Sequence, residues 1–514
     1  MLYGLIAFLP VAVLLVASIF SKKGIFFASF SALLFLVATS LFVWNVPAIV
    51  IAASAIKGLF VSMEIGAIVL GAIFLFKSFS VARGESAARS IFGRFSSERI
   101  AQAVIVAWSF VYFIEGVSGF GTPAMIAAPI LIALGFGPMA ALTMCLIGDS
   151  VPVIFGAVGL PVTYGFGSIV GPLLAGQVGI MISIVNIISS FFVTAAIVFI
   201  ANKDMKGDRS SFLRFMPFAA LASLAVSLPA FLTSFFIGPE LPSIIGGAVG
   251  TVVIFMIGKK MYPTSVRNNM ERRSLSEDIK PFIPYIIAVA LLSITRLPFV
   301  KEILSGIYFN IPAILGQNIS HHFTPFYSAG VIFIFASLAY IIFSPSVAGK
   351  RTQIVRESLS RIWKPITILT TILIFVQIFV NSDNNTIGLS SMPEALITSL
   401  TGLPGGLWLF IAPFVGAFGA FIAGGATVSN LLMTSLQVQA ASMMGLNVSV
   451  VLALQGLGAA GGNMIAIHNV LAALAVVGIA GGSEKKIMKL NLPFVVLYLI
   501  FLGLIGVIMS LILK

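Results

Sequence analysis

Few residues in this 514-residue chain can do acid–base or charge chemistry away from water. Of its 16 Asp and Glu, only Glu64, Glu115 and Asp149 lie within apolar stretches. Of its three His only His468 does, while His321 and His322 fall in a polar connection. Burial disfavours the charged form of a carboxyl, so Glu115 or Asp149 can take up a proton and release it again. His468 is a second kind of proton carrier, because imidazole changes charge near neutral pH. Glu64 lies seven residues after Lys57 on an ordinary apolar run, where a structural pair or a snorkelling contact accounts for it as well as a function does. Arg296, in Thr-Arg-Leu-Pro, reads as an interfacial anchor at a helix end.

Glu115 opens the stretch Glu115-Gly-Val-Ser-Gly-Phe-Gly-Thr-Pro123. Gly116, Gly119 and Gly121 let the backbone leave a helix, and Pro123 suits the first turn of a new one with Thr122 as its cap. A helix that starts inside an apolar medium presents free N–H groups and a positive dipole end, a site suited to a carboxylate. Gly424-Gly-Ala-Thr-Val-Ser-Asn430 repeats the design, with Thr427 or Ser429 as cap. Each stretch is followed by a second Gly-rich one, 148–161 and 455–469, which carry Asp149 and His468. Gly-rich helices can also simply pack closely. Four such stretches, ordered two and two, favour a binding site.

The composition says what surrounds these motifs. Hydrophobic residues make up 59% of the chain and charged residues 9%, against roughly a quarter charged in globular domains. The mean hydropathy is +1.13. So few charges cannot cover a water-facing surface, which excludes a soluble enzyme. The net charge of +13 belongs to topology rather than to nucleic-acid binding. A single Cys145 excludes an internal disulfide and a Cys-built metal site. No cofactor and no metal are expected, and the lipid bilayer is the medium.

Twenty-five of the 29 Lys and Arg fall in six clusters: Lys22-Lys23, 77–99, 203–214, 259–280, 350–364 and 485–489. Cation-rich short loops stay on the cytoplasmic side, so the connections near 45, 237–242, 300–325 and 382–404 are assigned outside. Residues 1–21 precede their cations, the order of a first spanning helix with its N-terminus outside and not of a cleaved signal peptide. Apolar stretches of spanning length fit at 2–21, 24–44, 50–76, 212–236, 242–258, 282–300, 326–346, 364–381 and 491–513. Residues 100–200 and 405–483 are apolar but broken, and non-helical backbone at membrane depth survives only around a cavity or inside protein. Paired broken regions point to a carrier built from repeats. The expected fold is an all-α polytopic membrane protein with about 12–14 spans in two inverted repeats with broken helices or helical hairpins. The halves are 1–258 and 282–514, joined by a cytoplasmic linker at 259–281, and the location is the plasma membrane.

Glu115 to Pro123, Leu134-Gly-Phe136 and Phe155-Gly-Ala-Val-Gly-Leu-Pro161 resemble the L-lactate permease family of proton-coupled 2-hydroxymonocarboxylate transporters. Thr427-x-Ser-Asn430, Gln455, Gly462-Asn-Met-Ile and His468-Asn469 with Val477-Gly478 fit that family's second half. The resemblance covers most of the chain. It implies import of lactate and often glycolate with protons, through two inverted repeats with helical hairpins and an elevator movement of a transport domain against a scaffold. The chain also departs from the family pattern. Gly424-Gly-Ala-Thr427 stands for Gly-Ser-Asp-Thr, Gly462-Asn-Met-Ile465 for Gly-Lys-Met-Ile, and Asp149-Ser150 for an uncharged Asn-Thr. An acid and a base of the pattern are thus replaced, while Asp149 and His468 are present.

The residues expected at the substrate are Gly119, Gly121, Thr122, Thr427, Ser429, Asn430, Gln455, Asn463 and His468. The helix starts near Thr122 and Ser429 would balance the carboxylate, and Thr122, Ser429, Asn430 or Asn463 would meet the hydroxyl. Glu115, Asp149 or His468 would carry the proton. A passive anion channel, a sodium-coupled carrier and a carrier of another small carboxylate remain alternatives, and a monomer and a homodimer both fit. An intramembrane enzyme does not. The chain has no Gly-x-Ser-x-Gly elbow, no His-Glu-x-x-His and no P-loop.

Overall fold

A computed structural model describes the chain except residues 1, 21–24, 85, 88–89, 91–97, 120, 263–273, 296–297, 399–404, 424, 467–468, 471–472, 475–476, 478–483 and 513–514. His468, Arg296, Gly424 and Lys22-Lys23 lie outside the described residues. The described chain is helical apart from connections and one small hairpin. Six of its helices are long and apolar enough to cross a membrane, and a seventh crossing follows if one bent pair is counted as a span. It is a multi-pass integral membrane protein.

The apolar runs form helices where the sequence places them: α1 (Leu2–Phe20), α2 (Ile25–Phe42) and α3 (Ala48–Val81). α3 has 34 residues, about 50 Å at 1.5 Å per residue. It therefore overshoots a hydrocarbon core of about 30 Å and carries Lys77 beyond it to an ion pair with Glu357.

The first broken region opens with α4, which runs through Arg99–Val104, a π-helical segment Ile105–Phe110 and Val111–Ser118. α5 (Thr122–Ala133) turns back from it, and the Arg99 guanidinium lies beside Gly135 just past its end. α4 and α5 are thus a re-entrant hairpin with both feet on one face. α6 (Pro138–Gly148) breaks at Asp149. The chain continues through a short 3-10 turn into α7 (Gly156–Thr163), bent from α6 by 53°. Long helices α8 (Gly167–Asp204), α9 (Arg209–Phe236) and α10 (Pro242–Met261) follow. Pro138 and Pro242 each sit at the first position of their helix, where the missing N–H costs nothing.

The second half contains α11 (Ile283–Thr295), then strands β1 (Phe309–Ile311) and β2 (His321–Phe323) paired antiparallel, then α12 (Ala329–Phe343), α13 (Arg351–Val380) and α14 (Met392–Thr398). α15 (Gly405–Ala423) and α16 (Ala426–Met443) form a second hairpin, whose feet meet where Gly405 lies against Leu446. α17 (Val448–Asn463) and α18 (Glu484–Ile512) complete the chain. α2 packs on α13, and α3 on both α12 and α13, so the two halves interlock.

Four cation clusters meet on one face. Arg214 is 3.4 Å from Glu98, the Gly137 N–H donates to Asp204 at 2.8 Å, Ser90 donates to Asp278 at 2.9 Å, and Lys77 pairs with Glu357. On the opposite face Trp44 Nε1 donates to Ser390 O at 3.0 Å and Gln439 to Ser391 at 3.3 Å. The α4–α5 hairpin has its feet on the basic face and the α15–α16 hairpin on the other.

Candidate functional site

Glu115 lies on the last turn of α4, and Asp149 is the first residue beyond α6. Both are buried, at 2% and 1% exposure, which removes water as the partner of either carboxyl. The two carboxyls are direct electrostatic neighbours. A carboxylate only accepts, so a bond between two carboxyls needs one of them protonated. Glu115 Oε2 and Asp149 Oδ1 receive no hydrogen bond from other described groups. A buried acceptor left bare costs about 1–3 kcal/mol, and a proton held by the pair relieves that cost.

Local backbone sets this geometry. Cβ atoms added to Gly148 and Gly156 would lie 1.8 Å from Ala107 O and 2.1 Å from Glu115 Oε1, so both approaches need glycine. Ala107 belongs to the π-helical segment, the kind of local widening of a helix that recurs at functional sites. Residues 157–159 then form a left-handed turn, with φ of 42° at Ala157, 62° at Val158 and 71° at Gly159. A β-branched residue there is a true outlier, held by its surroundings.

The second half completes the centre. Asn463, at the end of α17, donates to Asp149 Oδ2 at 3.0 Å, and Asn469 donates to Asn463 Oδ1 at 2.7 Å. A Cβ on Gly121, at the tip of the first hairpin, would lie 2.5 Å from Asn469 Oδ1. Glu115, Gly119, Gly121, Asp149 and Asn463 thus come together, with Asn469 added to those the sequence singled out.

Two expected caps are corrected. Gly121, at φ 76°, caps α5, while Thr122 is its first residue and donates back to Gly119 O at 2.8 Å. Gly425 caps α16, so Thr427 and Ser429 lie inside its first turns. A capping side chain needs the non-helical backbone that the glycines supply here. Ser429 is turned into its own hairpin. It donates to Gly416 O at 2.7 Å and accepts from Gln455 Nε2 at 3.1 Å. Gln437 links Gln455 at 2.9 Å to Trp408 at 3.0 Å, which closes a buried polar chain. Asn430 reaches across to Pro161 O at 2.9 Å. Each hairpin therefore leans on the broken helix of the other half.

Sequence reasoning missed one cluster. His321, assigned to an outside loop, folds in from β2 so that its Nε2 lies 2.9 Å from Glu64 Oε1. Tyr164 donates to Glu64 Oε2 at 2.8 Å. Glu64 is thus partnered by Tyr164 and His321. The spacing from Lys57 was the only signal in the sequence, and it pointed to the wrong partner.

The family profile described as L-lactate permease matches residues 4–513. A Haemophilus influenzae protein described as a putative L-lactate permease is 30% identical, over 88% of this chain and 88% of its own. The L-lactate permease of Salmonella typhimurium is 28% identical over 99% of this chain and 96% of its own. A glycolate permease of Escherichia coli is 26% identical over 99% and 95%. The solved YdaH transporter of Alcanivorax borkumensis is similar at a TM-score of 0.46 and 13% identity, over 88% of this chain and 87% of that one.

Proposed function

This chain belongs to the L-lactate permease family, and from that membership we propose that it carries L-lactate and related 2-hydroxymonocarboxylates, glycolate among them, across the membrane together with protons. The observation that carries the proton half of this reading is the buried Glu115–Asp149 pair, bound through Asn463 to the opposite half. A pair that holds one proton between two carboxyls is a site that can load and unload it.

The substrate carboxylate would be met by the free N–H groups at the starts of α5 and α16, beyond Gly121 and Gly425. At the start of α5 the Thr122 N–H already donates to Gly119 O at 3.1 Å and Pro123 has none, so the groups left there are those of Ala124 and beyond. Loading the anion next to an unprotonated pair places like charges together in low dielectric, so the loaded site favours the protonated pair. That preference is the coupling. Thr122, Asn430 and Asn463 are the candidate partners of the substrate hydroxyl, and His468 is the alternative proton carrier.

Hairpins that open on opposite faces, and the reciprocal packing of α2 on α13 and α3 on α12, support the reading of 1–258 and 282–514 as inverted repeats. Movement of the hairpin-bearing part against α3, α12 and α13 is the corresponding transport step.

Uptake of labelled L-lactate and glycolate into proteoliposomes under imposed proton and sodium gradients tests the proposal. Accumulation driven by the proton gradient supports it. Accumulation driven by sodium alone, or equilibration that no gradient can raise, replaces it with a sodium-coupled carrier or a passive channel.

A further inference from the structure

A cavity of about 340 Å³ lies at the foot of the β1–β2 hairpin, on the face away from the cation clusters. Lys57 of α3 lines it and makes no ion pair or hydrogen bond among the described residues. Glu64, two helical turns further on, makes no ion pair with it, since its two oxygens lie against Tyr164 and His321. The His321 ring is in turn fixed by stacking on Phe60, with centroids 5.0 Å apart. An ammonium on an apolar helix is costly without a counter-ion, and the cavity in front of Lys57 is where one would sit.

The wall beside Lys57 has a particular polarity. Thr163 donates its hydroxyl hydrogen to Gly159 O at 3.0 Å and Ser168 to Tyr164 O at 2.6 Å. Their oxygens keep lone pairs that accept from an alcohol. Glu240 lines the same cavity, so a second carboxylate would meet Glu64 and Glu240. A cation for one carboxylate, acceptors for one hydroxyl and repulsion of a second acid complement a small 2-hydroxymonocarboxylate.

The cavity also leads somewhere. Val158 lines it, while its neighbours Gly156 and Ala157 pack against Glu115 and Gly119. The left-handed turn 157–159 thus touches the cavity on one side and the surroundings of Glu115 on the other.

We infer that this cavity is an outer capture site for the transported anion, with Lys57 holding the carboxylate and Thr163 and Ser168 accepting from the 2-hydroxyl. The inference rests on the transport reading above. It makes Lys57 a residue that sets affinity on one side of the membrane only.

The test is L-lactate transport by the full chain in proteoliposomes of known orientation, with lactate applied to either side. With lactate on the hairpin side, Lys57→Gln raises KM about tenfold or more, the worth of one charge-assisted contact, and leaves the maximal rate within about twofold. With lactate on the basic side, KM is unchanged. Lys57→Arg restores the affinity. Glu240→Gln lets malate compete from the hairpin side, where it does not compete against the wild-type protein, and this second variant decides the matter if Lys57→Gln fails to fold. An unchanged KM in Lys57→Gln, an equal change from both sides, or malate still excluded by Glu240→Gln overturns the capture site while transport stands. Wild-type liposomes that take up no lactate overturn the transport reading and this site with it.

Discussion

Glu115 and Gly156 approach so closely that a single added methyl group would displace the carboxyl. A Cβ on Gly156 would fall 2.1 Å from Glu115 Oε1, and the carboxyl, being the end of a flexible side chain, would swing away from Asp149. Gly156 has φ −68° and ψ 160°, which alanine adopts freely. Gly156→Ala is therefore expected to fold normally, with a melting temperature close to wild type, and to lose most proton-driven uptake. Gln455→Leu should do the opposite. It leaves Gln437 and Ser429 short of a buried partner, a loss of about 1–3 kcal/mol, read as a lower melting temperature in detergent. At this scale Glu115, Asp149 and Asn463 were legible, since buried acids and a Gly-flanked amide stand out in an apolar chain. Glu64 and His321 were not recognised as a pair, because 257 residues separate them (321 − 64) and His321 sits in a polar connection.

Helix α17 crosses α15 at contacts that only glycine permits. Cβ atoms at Gly416, Gly458 and Gly462 would lie 2.1, 2.0 and 2.2 Å from the carbonyl oxygens of Gln455, Pro413 and Ala417. These neighbours are backbone and cannot step aside. Gly458→Ala is expected to destabilise by about 1–3 kcal/mol, the usual cost of overpacking, whereas Gly176→Ala on α8, with nothing within 4 Å of the added carbon, should stabilise by about 0.5–1 kcal/mol. Thermal unfolding of both variants in one detergent checks the opposite signs. Helix positions and breaks were legible from apolar runs punctuated by Gly and Pro. The caps were misread, since a hydroxyl near a helix start looks like a cap whether it lies at the boundary or one turn inside, as Ser429 does. The π-helical segment Ile105–Phe110, whose Ala107 O lies against Gly148, has no sequence signature.

Across the whole molecule, the cation pattern and the contacts agree on one basic face, formed by the clusters at 77–99, 203–214, 259–280 and 350–364. Cysteines placed at the exposed positions of Lys206 and Gln353 should resist an impermeant thiol reagent in intact cells, and those at Asn310 and Ile387 should react. The native Cys145 is buried and will stay silent. Labelling at 206 or 353 from outside would invert the topology. The joining of the halves through Asn463–Asp149 and Asn430–Pro161 could not be read from sequence, because such pairs are specified by tertiary packing alone. They also fix what is most worth measuring. If the acid pair holds the coupled proton, Glu115→Gln should abolish lactate accumulation driven by a pH gradient and retain lactate–lactate exchange, since exchange needs no net proton release. The decisive measurement is both rates for Glu115→Gln in one proteoliposome preparation: exchange near wild type with accumulation lost is the predicted result, and full pH-driven accumulation would contradict the assignment.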